Sequence, residues 1–243
     1  MSNPYFNFKQ FTIRQDRCAM KVGTDGVLLG AWTDVSCIKR VLDIGTGTGL
    51  IALMLAQRSE ALIDAIEPET DSCRQAGENI RNSPWHKRIR LYNERLQEFP
   101  SGSLPGKNIG VKYDCIVSNP PYFVDSKINP DAKKTMSRHA VYFTREELMN
   151  GIHRLLDKKG RFSIILPATE ACVFQDRAAA GNLFCTRKLH VKPLPGKEVK
   201  RVLMQFEWKD KPVEERTIVI ETSGRHVYSD EYRELTREFY MGF

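Results

Sequence analysis

From residue 40 onward the chain alternates short apolar or β-branched runs with longer amphipathic stretches, and this alternation restricts it to a wound α/β sheet. The predicted strands are Arg40–Ile44, Leu62–Glu67, Ile89–Tyr92, Tyr113–Val117, Phe162–Leu166, Phe184–Val191 and Val202–Trp208. Helices are predicted over Leu50–Arg58, Glu69–Asn82, Arg145–Asp157 and Thr169–Ala180. Parallel strands need connections long enough for a crossover helix, which the early ones have. The last two strands are joined through Pro193-Leu194-Pro195-Gly196, which suits an antiparallel hairpin. The expectation is a mostly parallel seven-stranded sheet with an antiparallel hairpin at one edge. Loops are read over 101–108 and 125–138, the second long enough to act as a lid.

A chain of 243 residues accommodates one domain with a sizeable core. Its longest apolar runs, such as Leu50–Ala56, fall far short of the roughly 18 residues that a membrane helix needs. The aromatic, polar start Met1–Phe11 lacks the basic-then-apolar pattern of a secretion signal, so a cytoplasmic protein with no membrane association is expected. Six cysteines are dispersed without a C-x-x-C pair or histidines at ligand spacing, and are read as reduced thiols with no metal. Lysine and arginine number 37 against 30 acidic residues, a formal charge of +7 that favours a polyanionic partner. The basic residues gather at Arg81–Arg90, Lys127–His139 and Arg187–Arg201.

The first predicted strand runs into Asp43-Ile44-Gly45-Thr46-Gly47-Thr48-Gly49 and then a helix. Glycines there let the backbone approach a ligand closely beside the N–H groups of a helix N-terminus. A dinucleotide fingerprint needs a third small residue where Leu50 stands; the spacing here is G-x-G-x-G, preceded by an acid. A turn of this second kind suits S-adenosyl-L-methionine. Gly45, Thr46, Gly47 and Gly49 are its candidate contacts, and Asp43 is placed to meet the amino-acid ammonium group directly or through water. The second strand ends in Glu67, where a carboxylate can accept hydrogen bonds from both ribose hydroxyls.

The fourth strand leads into Asn119-Pro120-Pro121-Tyr122. A strand cannot continue through two prolines, so the chain leaves the sheet rigidly at its carboxyl edge, where ligands of wound sheets bind. An exocyclic amine delocalises its lone pair into the ring and is a poor nucleophile. The Asn119 side-chain oxygen and the Pro120 carbonyl can each accept one amine hydrogen, aiming the lone pair at a methyl donor. Tyr122 is placed to stack on a base that has left its own stack.

The Asp43–Gly49 loop and the tetrapeptide Asn119–Tyr122 resemble those of the Rossmann-like class I amino-methyltransferases, whose members act on adenine N6, guanine N2 or protein glutamine. Two further segments narrow the match: Phe8–Phe11 with Met20–Trp32, and the tail from Tyr228 through Leu235-Thr236 to Phe239-Tyr240. Both look like the bacterial tRNA1(Val) (adenine-N6)-methyltransferase family, nearly end to end. The resemblance implies N6-methylation of the adenine 3′ of the anticodon, with Asn119, Pro120, Pro121 and Tyr122 as the catalytic motif. It also implies that Lys21–Asp25 covers the cofactor, with Lys21 and Thr24 in contact; alternatively this stretch is a helix start capped by Thr24 or Asp25. It divides one methyltransferase domain into a covering segment (1–39), a catalytic core (40–209) and a C-terminal extension (210–243). A tRNA partner makes Lys133, Lys134 and Arg138 candidate contacts. The chain departs from the class after the third strand, where Arg95 stands at the position of an acid that meets the cofactor adenine; Glu94 or a backbone N–H is left to take that part. Glutamine N5-methylation of a protein and guanine-N2 or DNA adenine methylation use the same amine chemistry and stay open at this point.

Overall fold

The computed structural model describes residues 3–18, 20–99, 110–120 and 144–243. A two-stranded antiparallel ribbon, β1 (Tyr5–Asn7) and β2 (Thr12–Arg14), leads to helix α1 (Thr24–Trp32). The wound sheet follows with β3 (Arg40–Ile44), β4 (Leu62–Ile66), β5 (Ile89–Tyr92), β6 (Tyr113–Ser118), β7 (Leu156–Pro167), β8 (Phe184–Lys192), β9 (Arg201–Glu207) and β10 (Glu214–Val219). Between them lie α2 (Leu50–Arg58), α3 (Thr70–Arg81), α4 (Arg145–Leu155) and α5 (Ala168–Ala180), and α6 (Asp230–Thr236) follows β10. The strand order is β10-β8-β9-β7-β6-β3-β4-β5, with β9 antiparallel to both neighbours and the other pairings parallel.

The mostly parallel sheet and the antiparallel β8–β9 hairpin are as expected, with one correction. The sheet has eight strands rather than seven, and the hairpin is not at its edge. β10 pairs in parallel with β8 from Glu214↔Arg187 to Val219↔Lys192 and covers it. Its charged residues Glu214, Glu215 and Arg216 are exposed, which suits a sheet margin that must not recruit another strand.

Alternation along the strands divides the interior into two cores. Val41, Ile63, Val117, Leu189 and Leu203 face α1, α2 and the chain termini. Leu42, Ile44, Ile116, Phe162, Ile164 and Phe206 face α4 and α5. Helix α2 is apolar all round, and Leu50 to Ala56 are all buried, as a helix lodged between α1 and the sheet must be. Its close approach to α1 rests on Gly30, where a Cβ would stand 2.6 Å from Met54 Sδ and 3.0 Å from Met54 Cβ. The chain ends meet: Lys9 Nζ donates to the carbonyls of Arg237 and Phe243, and Lys9 N donates to Phe239 O.

In the register of the sheet, Ile44 lies between Ile66 of β4 and Ser118 of β6. The residues after these three strands therefore leave one carboxyl edge side by side, at the point where chain direction through the sheet reverses, which is where wound sheets hold ligands.

Candidate active site

Among the described residues a cavity of about 530 Å³ opens at this edge. It is lined by Gly45, Thr46 and Gly47 after β3, Glu67 after β4, Asn119 and Pro120 after β6, and Ile165 and Pro167 of β7. Lys21, Gly23, Thr24 and Asp25 also line it, with Cys18 and Met20. Gly45 and Gly47 have φ of +71° and +57°, a left-handed backbone that disfavours any side chain. A Cβ at either would meet nothing within 4 Å, so both present bare backbone to the open space. Such a cradle fits a small ligand that approaches the main chain.

Hydrogen bonds inside the loop determine what that ligand can be. Gly45 N and Thr46 N donate to Ile66 O, Gly49 N donates to Thr46 O, and Gly47 N donates to Glu67 Oε2 at 2.9 Å. These four N–H groups are therefore engaged within the protein, which leaves fewer for a phosphate than a phosphate-binding loop would offer. Glu67 also accepts from Glu69 N at 3.0 Å, so both carboxylate oxygens are fixed and each keeps lone-pair capacity for a ligand hydroxyl. Burial raises its pKa, opposed by the two backbone N–H groups. The site thus pairs an oriented acid with an open glycine backbone, a set that suits a nucleoside diol.

Asp43 and Gly49 are not among the lining residues. Asp43 is fully buried beneath the loop, where its Oδ2 accepts from Thr46 Oγ1 at 2.6 Å and from Ala52 N at 3.1 Å. Gly49 caps α2 with φ +84° and no side-chain bond, so Asp43 supplies from below the acceptor that the first turn of α2 lacks. Its Oδ1 has no hydrogen-bond partner among the described residues. Burial pushes its carboxyl up to about 7, with the Glu67 charge adding to the rise and the bonds from Thr46 and Ala52 opposing it.

The covering stretch contacts the cavity and also starts a helix. α1 begins at Thr24, yet neither Thr24 nor Asp25 caps it; Gly23 is the N-cap and makes no side-chain bond. Asp25 instead accepts from Arg201 Nε at 2.7 Å, which ties α1 to β9 beside the cavity. A Cβ at Gly26 would stand 4.0 Å from Asn119 Nδ2, so α1 passes close to the Asn119 carboxamide. Pro121, Tyr122, Lys133, Lys134 and Arg138 lie outside the described residues. So do the predicted loops, 101–108 and 125–138.

Several basic residues of the other two stretches serve the fold. Arg88 donates to the carbonyls of Ala56, Ser59 and Ala61, Arg187 stacks 4.7 Å from the Trp32 ring, and Lys188 pairs with Glu215. Sequence reasoning missed Gly26 as a neighbour of Asn119, because the link depends on how α1 lies across the sheet.

A wound sheet with bare glycines, a fixed acid and an Asn-Pro exit opening onto one cavity has the build of a methyltransferase, and the methyltransferase small domain family matches residues 23–166. The same fold is seen in a predicted O-methyltransferase of Agrobacterium tumefaciens, with a TM-score of 0.65 and 17% identity over 88% of this chain and 96% of that one. The protein named tRNA1(Val) (adenine(37)-N6)-methyltransferase in Bacteroides fragilis is 47% identical over 99% of both chains. Its namesake in Trichodesmium erythraeum is 44% identical over 100% of both. The chain belongs to this tRNA1(Val) (adenine(37)-N6)-methyltransferase family.

Proposed function

We propose that this protein transfers a methyl group from S-adenosyl-L-methionine to N6 of an adenine in tRNA, the adenine 3′ of the anticodon of tRNA1(Val). One observation carries the reading: Asn119 and Pro120 line the same cavity as Gly45, Gly47 and Glu67, so an amine-holding exit and a nucleoside cradle share one space. When bound, the cofactor supplies an electrophilic methyl on sulfur. Glu67 would hold its ribose hydroxyls, Gly45, Thr46 and Gly47 would contact it through the open backbone, and Lys21 and Thr24 would cover it. Asp43 acts from beneath the loop. The Asn119 oxygen and the Pro120 carbonyl accept the two amine hydrogens, which favours a pyramidal nitrogen, and the acceptors gain strength as positive charge develops there. Pro121 stiffens the exit and Tyr122 stacks on the extruded base.

In this reading residues 1–39 cover the cofactor, 40–209 form the catalytic core and 210–243 extend it within one domain. Lys133, Lys134 and Arg138 reach the RNA backbone. A tRNA substrate puts the reaction in the cytoplasm.

The test is mass spectrometry of nucleosides, and of ribonuclease fragments that locate the label, from tRNA incubated with the protein and methyl-labelled cofactor. Labelled N6-methyladenosine at the position 3′ of the anticodon is expected, and Asn119→Ala should lower single-turnover rates by about 10²–10³-fold. Label on guanine, or on protein glutamine in a lysate with none on tRNA, would overturn the substrate assignment. A wild-type rate in Asn119→Ala would remove the amine-holding role.

A further inference from the structure

Helix α3 buries a polar face. Ser72, Gln75 and Asn79 are 3%, 0% and 2% exposed, and their spacing puts them along one side of the helix. Polar side chains buried this deeply are unfavourable unless each finds a partner. All three turn to one run of chain, the last residue of β2 and the stretch that follows it. Asn79 Oδ1 accepts from Arg14 N at 2.8 Å and its Nδ2 donates to Arg14 O at 2.9 Å. Gln75 Oε1 accepts from Arg17 N at 3.1 Å, and Ser72 Oγ lies 3.2 Å from Cys18 Sγ. Gln15, 6% exposed, closes the stretch on itself by accepting from Val22 N at 2.8 Å while donating to Asn3 O.

Between Arg14 and Thr24 the described residues belong to no strand or helix, so their main chain has no ladder of its own, and side-chain amides take its place. This stretch carries Cys18, Met20, Lys21 and Gly23 onto the cavity wall. Asn79 does more than hold it, because Nδ2 also donates to Thr48 O of the glycine loop at 2.9 Å. A single buried carboxamide thus joins the covering stretch to the cradle beneath it. Hydrogen bonds are directional, so a polar strip sets the height and register of the covering main chain, whereas an apolar strip would only make it adhere.

We propose that Ser72, Gln75 and Asn79 form a latch holding the covering stretch against the glycine loop, with Asn79 the positioning residue that sets how long the cofactor stays bound. The proposal rests on the reading of the cavity as the cofactor site. It is tested on the full chain with S-adenosylhomocysteine, by calorimetry for the dissociation constant and stopped flow for the release rate. Asn79→Ala should weaken binding about tenfold, mostly through faster release, with turnover at saturating cofactor and the KM for tRNA within about twofold of wild type. Asn79→Asp keeps the acceptor for Arg14 N but sets a carboxylate oxygen against two carbonyls, and should bind no better than Asn79→Ala. Gln75→Leu, which removes the acceptor for Arg17 N, should also weaken binding, and so should Gln15→Leu, which removes the acceptor for Val22 N. If Asn79→Ala fails to fold, these two variants decide. A folded Asn79→Ala with a lower Tm but wild-type affinity and release rate would reduce the strip to packing and overturn the latch alone, as would wild-type affinity in both Gln75→Leu and Gln15→Leu. If the unsubstituted protein fails to bind S-adenosylhomocysteine, the cofactor reading fails first and the latch with it.

Discussion

The partnerless carboxylate beneath the glycine loop makes a quantitative statement about stability. Asp43 lies on the face of β3 that carries Val41, is 0% exposed, and has one oxygen bonded by Thr46 and Ala52 and the other without a partner. Burial raises its pKa from 3.8 to about 7. Between these values the folded protein keeps a proton that the unfolded chain has released, so folding stability falls as pH rises through this window and levels off above it. A rise of about three units corresponds to about 4 kcal/mol, at 1.36 kcal/mol per unit. Glu67, also raised by burial, adds a slope of the same sign. Asp43→Asn is neutral throughout, and its amide oxygen can keep the bonds from Thr46 and Ala52. Its Nδ2 then takes the place of the partnerless oxygen, a buried donor without a partner just as the O–H of the protonated carboxyl is, so both proteins share that cost at low pH. The wild type should therefore lose stability relative to the variant between pH 4.5 and pH 8, by about 1.36 kcal/mol per pH unit inside the window. Urea denaturation of both ligand-free proteins across that range measures the difference profile directly. Parallel profiles would show that Asp43 is ionised in the fold across the whole range, and the argument from burial would be wrong.

Glu67→Ala removes the carboxylate that the glycine loop orients toward the cavity, and affinity for S-adenosylhomocysteine should fall by the roughly 1.5–3 kcal/mol of a charge-assisted bond; an unchanged calorimetric constant takes Glu67 out of the site. Gly30→Ala drives a methyl against Met54, whose fully buried Cβ cannot swing aside, and should destabilise the protein by about 1–3 kcal/mol in urea; wild-type stability would mean that α1 and α2 separate easily. Replacing Lys133, Lys134 and Arg138 with Glu should raise the KM for tRNA and flatten its dependence on salt, while the KM for the cofactor stays put; an equal salt slope places that run away from the RNA.

The parts of this fold that patterning reveals are those where periodicity and burial agree. β3 and β5 occupy the residues that their apolar runs predict, and the loop and acid after β3 and β4 reach one cavity because parallel strands deliver their ends to one edge. β10 gives no such signal. Glu214-Glu215-Arg216-Thr217 reads as a solvated run and becomes a strand because β8 offers it an unpaired edge, a tertiary cause absent from the segment itself. The ribbon strands β1 and β2 are three residues each, too short for alternation to register. Asp43 reads as a ligand contact because its place in the motif is visible and its burial is not. The predicted helix over Glu69–Asn82 gives no sign that Ser72, Gln75 and Asn79 face inward, and only the packed chain shows that they are buried.

The position of β9 between β7 and β8 bears on how the chain assembles. β8 precedes β9 in the chain but touches β7 only through it, with Ile164↔Met204 on one side and Leu189↔Leu203 on the other. During synthesis β8 emerges with no sheet partner yet made, and the margin of β7 carrying Phe162 and Ile164 stays open until residues 201–207 arrive. An exposed, apolar strand margin is a template for pairing with other chains. A break in the turn around Pro193–Gly196 would leave β9 without its short covalent tie to β8 and ease the reopening of that margin, so nicking there should promote aggregation rather than merely lower activity.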